Sequence, residues 1–197
     1  EDSLVTQVVT QTRARRRRRR RATPKDIVRR AERILRTEPH YIFHASFDAA
    51  GAEEEILGSP PEAIIHGRGS SAADGADFYV AFLYQTELLT REQESYLFRK
   101  MNYLKFRVFR LRQCLDPETA TVAQVVEIES LVREALGIRN HIVESNLRLV
   151  TARAKKFARS SGLPLDELIS EGNIGLVQAV EHFDFSRGTK LSTYATW

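Results

Sequence analysis

The chain has 197 residues, of which 42% are hydrophobic and 28% are charged, and it contains a single cysteine. One cysteine excludes an internal disulfide, as fits a reducing cytosol, and no apolar run reaches the ~18–20 residues of a membrane span. The net charge of +4 depends on an arginine run, Arg13 and Arg15 to Arg21. Removing these eight of the 30 basic residues leaves 22 against 26 acidic ones. We therefore predict a cytoplasmic protein with a mildly acidic body, which excludes binding by whole-body positive charge.

The N-terminal part of the chain is expected to be irregular apart from one helix. Residues 1–22 have few apolar side chains and are predicted to be a disordered basic tail. The arginine run can attract nucleic-acid phosphates, or it can be a solvated tail that self-repulsion keeps extended. Thr23-Pro24 predicts the start of a helix that ends near Arg36. Glycine- and proline-rich residues 37–77 predict a loop-rich linker, so that residues 23–77 form an N-terminal extension.

From Phe78 onward the patterns favour helices throughout, which makes the predicted fold class all-α. Residues 78–84 are interpreted as a helix because helical signals surround them. Thr90 and Gln93 form a capping box at the start of a long helix that Asp116-Pro117 ends. Aromatic residues widen its apolar face and are interpreted as core rather than as a base-stacking platform. Its predicted apolar seam is Leu97, Met101, Leu104, Val108, Leu111 and Leu115.

Helix breakers divide the remainder into four predicted helices, with ranges of 121–137, 140–160, 164–182 and from 192 onward. Gly172 and Gly175 lie within the third of these, where each costs about 1 kcal/mol relative to alanine. Close approach of another helix would explain them. The polar side of this helix could dock a basic partner, or the helix could pack only inside its own domain. Residue spacing leaves both interpretations open.

Aromatic residues in the C-terminal segment lie among cations. Such aromatics can stack unpaired bases, at about 1–3 kcal/mol per base, while the cations hold phosphates. Burial in the core is the alternative. The aromatics are Phe183, Phe185, Tyr194 and Trp197, and the cations are Arg187 and Lys190.

Enzymatic motifs are lacking in the sequence. It contains no phosphate-binding glycine loop, no nucleophile elbow and no His-Glu-x-x-His motif. His40 and His44 are four residues apart, but only acidic residues accompany them as further ligand types. We therefore predict no catalytic activity, no metal site and no cofactor.

Several segments resemble the sigma-70 family of bacterial RNA polymerase sigma factors. Asn146-Leu-Arg-Leu-Val150, Leu168-Ile-Ser-Glu-Gly-Asn-Ile-Gly-Leu176, Phe183-Asp-Phe-Ser-Arg-Gly188 and Lys190-Leu-Ser-Thr-Tyr-Ala-Thr-Trp197 resemble region 2. Leu88-Leu-Thr-Arg-Glu92 is similar to region 1.2. The resemblance implies a helical bundle of the sigma region 1.2–2 type over residues 78–197, which we expect to be incomplete at its C-terminus.

The resemblance also implies partners and site residues. Core RNA polymerase and promoter DNA are the implied partners, and an anti-sigma regulator is a further one that the family admits. The resemblance implies that residues 183–197 capture nontemplate-strand bases of the promoter −10 element and that the segment 88–92 reaches the discriminator and the downstream end of that element. Residues implied to bind promoter DNA are Leu88, Glu92, Asn146, Phe183, Asp184, Arg187, Lys190, Thr193, Tyr194 and Trp197. Residues implied to bind the β′ clamp coiled coil are Leu165, Glu167, Ser170, Glu171, Asn173 and Val177.

Three hypotheses for function follow. The leading one is a sigma factor that promotes transcription initiation by binding core polymerase and recognising and melting the −10 element. The second is a sigma-like interaction module that binds polymerase without opening promoters. The third is a nonspecific nucleic-acid binder that uses the arginine run.

Thr189 and Leu191 stand where primary sigma factors usually carry aromatics, which implies weaker promoter opening or a narrower set of promoters.

Overall fold

The computed structural model describes residues 23–58, 61, 83, 86 and 88–196. Every regular element in these ranges is helical, which confirms the all-α prediction. The predicted tail, most of residues 59–87 and Trp197 lie outside the described residues. The helices are α1 (Pro24–Arg36), α2 (Ala52–Leu57), α3 (Arg91–Gln113), α4 (Val122–Ser161), α5 (Leu165–His182) and α6 (Leu191–Tyr194), with 3₁₀ turns at Ala45–Asp48 and Phe185–Arg187.

Capping boxes set the starts of the three helices α1, α3 and α4. At α3, the Gln93 N–H donates to the Thr90 hydroxyl at 3.2 Å, and the Thr90 N–H donates to Gln93 Oε1 at 2.9 Å. In each capping box, this pair of hydrogen bonds satisfies two backbone N–H groups that a helix start otherwise leaves without partners. The predicted starts of α1 and α3 and the predicted end of α5 at His182 are confirmed.

One boundary was predicted wrongly, because the expected helices at 121–137 and 140–160 are a single helix of 40 residues, α4. Gly137, the last residue of the first predicted helix, does not act as a C-cap, because its φ is not positive, and a Cβ there would meet no atom within 4 Å. It therefore costs about 1 kcal/mol of helix propensity and nothing more. Buried Ala135 and Ile142 on either side of it continue the packing, which outweighs that cost.

The core forms along α4, with α3 packed along it and α5 packed against its C-terminal part. The apolar seam predicted for α3 is confirmed, because its members are buried or packed against the core. The α3 aromatics Phe98, Tyr103 and Phe106 are also buried, as the core interpretation required. Among the helices that the structure describes, none has both the length and the hydropathy needed to cross a membrane.

The N-terminal extension contributes to the same core instead of forming a separate layer. Its buried residues are Ala31, Phe47, Ala52 and Ile56. Arg30 makes a bidentate ion pair with Glu129 of α4, which links α1 to α4. Its Nε donates to Glu129 Oε1 at 2.9 Å and its Nη2 donates to Glu129 Oε2 at 2.6 Å. This pairing keeps the pKa of the Glu129 carboxyl below its ordinary value. The described part of the predicted linker, residues 37–58, contains the 3₁₀ turn Ala45–Asp48 and the helix α2.

The two glycines of α5 have different surroundings. A Cβ on Gly172 would lie 2.6 Å from Val150 Cγ1 of α4, so only glycine allows this approach. A Cβ on Gly175 would meet nothing within 4 Å. The predicted close approach of a second helix is confirmed for Gly172 and is wrong for Gly175.

This contrast predicts opposite effects of two identical substitutions. Gly172→Ala should lower the free energy of unfolding by about 1–3 kcal/mol, because crowding against α4 exceeds the gain in helix propensity. Gly175→Ala should raise it by up to about 1 kcal/mol. Thermal unfolding followed by circular dichroism resolves both, since 1 kcal/mol moves Tm by about 2–4 °C at this size. Val150→Ala should cost less in the Gly172→Ala background than in the wild type, and equal effects of the two glycine changes would contradict the geometry.

Candidate functional site

The solvent side of α5 forms a polar surface, the α5 outer face, made of Glu167, Ser170, Glu171, Ile174 and Gln178. All five are exposed, and their spacing of three and four residues places them on one side of the helix. Acidic residues in the first turn suit the positive end of the helix dipole. Three of the six residues predicted to bind polymerase therefore share this face.

The other three residues of that predicted set lie at its margins. Leu165 is the first residue of α5 and is exposed, whereas Asn173 and Val177 are half-buried along one edge of the α5 outer face. The Asn173 Oδ1 is buried and has no hydrogen-bond partner among the described residues. A buried acceptor left without a partner costs about 1–3 kcal/mol, which makes this side chain an exception within the fold.

Ile174 is a surface feature that the sequence-based site prediction missed. Its side chain is 55% exposed, although isoleucine is among the residues most often buried. It lies three and four residues from Glu171 and Ser170, so it occupies the middle of the α5 outer face. The signal was present in the sequence as an apolar residue on the polar side of an amphipathic helix.

In the C-terminal segment, residues 183–196, two predicted stacking aromatics are part of the core. Phe183 is 3% exposed, with its ring 4.7 Å from that of Phe98, and Phe185 is also buried. A base cannot reach the Phe183 ring, which Phe98 and Tyr194 flank. The prediction of Phe183 as a direct DNA contact is therefore corrected, and the burial alternative holds for both phenylalanines.

Asp184 shapes the turn that follows α5. Its carboxylate accepts hydrogen bonds from the Ser186 hydroxyl at 2.6 Å, the Ser186 N–H at 3.0 Å and the Arg187 Nε at 2.9 Å. The Ser186 hydroxyl bond is the main reason that the pKa of Asp184 lies below its ordinary value. Gly188 then adopts a left-handed conformation, φ 66°, which lets the chain turn toward α6. Asp184 thus acts within the protein instead of offering a free carboxylate.

Four predicted DNA-binding residues remain accessible in this segment. Tyr194 is 45% exposed, and Arg187, Lys190 and Thr193 are exposed as well. An exposed ring in the same segment as two exposed cations is suited to stacking a base while its phosphates are held. Trp197, which was also predicted, lies outside the described residues.

The start of α3 meets the C-terminal segment, which brings two predicted DNA-binding segments together. The Arg91 guanidinium donates to the Gly188 carbonyl. Glu92 is exposed, and bonds to its own backbone N–H and to Thr90, together with the charges of Arg91 and Lys190, lower the pKa of its carboxyl. Leu88, two residues before Thr90, is 54% exposed. The contact that the structure gives Asn146 is local, a bond from its Nδ2 to the Ile142 carbonyl at 2.8 Å.

Glu94 is a second residue that the sequence-based prediction missed. Its carboxylate accepts the Leu191 N–H at 2.8 Å, so a side chain of α3 caps α6. Burial raises the pKa of the Glu94 carboxyl, against the opposing effects of the Leu191 N–H and Lys190. In the sequence Glu94 looked like an ordinary first-turn acid, because nothing local reveals a partner 97 residues away.

The raised pKa of Glu94 predicts how stability changes with pH. The carboxyl of a glutamate in the unfolded chain has a pKa of about 4.3. Protonation of Glu94 therefore stabilises the folded state fully below that pH, and this stabilisation is lost as the pH rises through the pKa of the folded state. Glu94→Gln keeps an acceptor for Leu191 without the buried charge, and should match or exceed the wild type at pH 7. Glu94→Ala leaves the N–H without its acceptor and should cost about 1–3 kcal/mol. Urea unfolding at pH 4 and pH 7 measures the free energy of unfolding of each variant. A Glu94→Gln variant much less stable than the wild type at pH 7 would contradict the prediction.

Comparison with known proteins shows what this arrangement is similar to. Residues 142–197 match the family model for Sigma-70 region 2. The principal sigma factor HrdD of Streptomyces coelicolor is 38% identical over 148 residues, which are 74% of this chain and 43% of that protein. HrdC of the same organism is 50% identical over 70 residues, 36% of this chain and 20% of that protein. The chain thus spans less than half the length of these relatives. The α5 outer face and the C-terminal segment both lie in the matched region.

Proposed function

We propose, from the premise that this chain belongs to the sigma-70 family, that it promotes transcription initiation as part of a sigma factor. In this proposal it binds core RNA polymerase through the α5 outer face and captures nontemplate-strand bases of the promoter −10 element through the C-terminal segment. The observation that carries the proposal is that Tyr194, Arg187 and Lys190 are exposed in one short segment whose Gly188 and Leu191 are bonded to α3. The chemistry of RNA synthesis belongs to the polymerase, so the chain needs no catalytic group.

Docking on polymerase is proposed to use the β′ clamp coiled coil as its partner. Glu167 and Glu171 would complement basic residues there, which sets orientation and speeds encounter. Ile174 would supply a central apolar contact inside a polar rim, the usual arrangement of a binding hot spot. Rotation of the Asn173 side chain toward the partner would let its Oδ1, which has no hydrogen-bond partner among the described residues, accept a hydrogen bond.

Base capture is proposed to work by a shift of populations. A base that unstacks transiently from the promoter duplex would be held against Tyr194, with its phosphates near the neighbouring cations. Stacking worth about 1–3 kcal/mol then favours the open form without driven unwinding. Thr189 offers no ring, and Leu191 is fully buried, so neither replaces the aromatics that the family usually has there. Among the described residues of the C-terminal segment, Tyr194 therefore provides the ring for capture.

Competition for core polymerase tests the proposal. A labelled principal sigma factor bound to core polymerase should be displaced by this chain if both use the same site. Displacement without any capture of single-stranded promoter DNA would favour the interaction module. Failure to bind polymerase, by protein whose circular dichroism is helical, would contradict the proposal.

A further inference from the structure

The strap, residues 38–48, links α1 to α2 and reaches the turn that begins the C-terminal segment. The His40 ring lies 4.7 Å from that of His182, the C-terminal residue of α5. The His44 ring lies 5.7 Å from that of Phe185, and the Phe47 ring lies 6.5 Å from it in a nearly parallel arrangement. An element of the N-terminal extension thus supports the turn from which the accessible residues of the C-terminal segment follow.

A hydrogen bond to the buried side chain of Asn102 fixes the strap to α3. The Ile42 N–H donates to Asn102 Oδ1 at 2.7 Å, and the Asn102 Nδ2 donates to the Phe98 carbonyl at 2.9 Å. Asn102 is 1% exposed, so these bonds are shielded from water and hold their geometry. Phe98 also contacts Phe183, which means that one part of α3 supports both the strap and the C-terminal segment.

His44 contacts Ser46 and Phe47 within the strap, and its ring also contacts the turn Phe185–Arg187. Its Nδ1 accepts the Ser46 N–H at 3.2 Å, which caps the 3₁₀ turn Ala45–Asp48. Its ring then packs against Phe185, the buried anchor of the turn Phe185–Arg187. Only the contact with Phe185 reaches the C-terminal segment, so this contact and the cap can be separated by substitution.

We propose that the strap is a positioning element for base capture, with His44 and Phe47 as the positioning residues. By holding Phe185, they set where Arg187, Lys190 and Tyr194 stand when a single strand arrives. Binding groups must be held within about 0.5 Å of their productive positions, and support from neighbouring side chains provides this. The inference rests on the proposed function, and it gives the N-terminal extension a role in it.

His44→Asn is the variant that tests the strap. Asparagine is a good N-cap and can still accept the Ser46 N–H, but it removes the ring from Phe185. We expect capture of a nontemplate −10 oligonucleotide by the complex with core polymerase to weaken by about two- to thirtyfold. Affinity for polymerase and the thermal midpoint should stay at wild-type values. Phe47→Leu, which keeps an apolar side chain in the core, should act in the same direction.

Phe43→Leu is the matched control, because leucine keeps an apolar side chain against Phe47. Phe43 belongs to the same strap and is 53% exposed, and its ring contacts are with Phe47 and Phe106 rather than with Phe185. This variant should capture DNA as the wild type does. Unchanged capture by His44→Asn, or a parallel loss of polymerase affinity, would overturn the inference while leaving the proposed function standing. No capture by the wild type would overturn both.

Discussion

Glu171→Lys is expected to weaken binding of this chain to the isolated β′ clamp coiled coil by at least about tenfold. Glu171 is exposed in the middle of α5, so the substitution leaves the core untouched. It replaces attraction to a basic partner with like-charge repulsion beside Ile174, and such juxtapositions cost several kcal/mol, with each 1.4 kcal/mol worth about tenfold. Fluorescence anisotropy with labelled coiled coil measures the effect, which should shrink as ionic strength rises.

The matched control for this variant is Glu118→Lys. Glu118 is also exposed and gives the same change in net charge, but it precedes α4 in the chain. The start of α4 lies 28 residues from Val150, where α5 crosses, or about 42 Å along the helix. Glu118→Lys should therefore bind as the wild type does. Equal losses in the two variants would mean that net charge, and not the α5 outer face, determines docking.

Tyr194→Ala is expected to reduce capture of a nontemplate oligonucleotide by about five- to 150-fold, the equivalent of one lost stacking partner. Tyr194 is the exposed aromatic among the described residues of the C-terminal segment, since Phe183 and Phe185 are buried. Because its ring also lies 5.7 Å from that of Phe183, the thermal midpoint of each variant must be measured alongside capture.

Tyr194→Phe separates stacking from the hydroxyl. Phenylalanine keeps the ring over Phe183 and the face available to a base, so capture should remain within about threefold of wild type. Binding to core polymerase should be unchanged in both variants, because Tyr194 is not on the α5 outer face. Wild-type capture by a folded Tyr194→Ala variant would show that bases are held elsewhere.

Local interactions explain which parts of the fold were predictable. Thr90 and Gln93 predict the start of α3, because both partners of the capping box lie within four residues of sequence. Gly137 was misleading, since a glycine ends a helix only when the chain needs its left-handed conformation, and the packing of Ala135 and Ile142 carries α4 through it. Helix type and starts were therefore accessible from the sequence, but the continuity of α4 was decided by tertiary contacts.

Long-range contacts explain what could not be predicted at the site. The periodicity of α5 placed Glu167, Ser170 and Glu171 on one face correctly, because that arrangement is a property of the helix alone. The cap that Glu94 provides to Leu191 and the support that His44 provides to Phe185 join residues 97 and 141 positions apart, respectively. No spacing rule reaches across such distances, so these contacts emerge only from the folded chain.

Capture of a nontemplate −10 oligonucleotide by core polymerase, measured with and without this chain, tests whether the chain holds promoter bases as part of a sigma factor. A fluorescent base analogue in the −10 segment reports stacking, and an oligonucleotide with the same bases in permuted order is the control. We expect a change in fluorescence that requires both polymerase and this chain and that the permuted strand does not produce. Equal binding of both strands, or binding that needs no polymerase, would contradict this expectation and would favour nonspecific attraction by the arginine run.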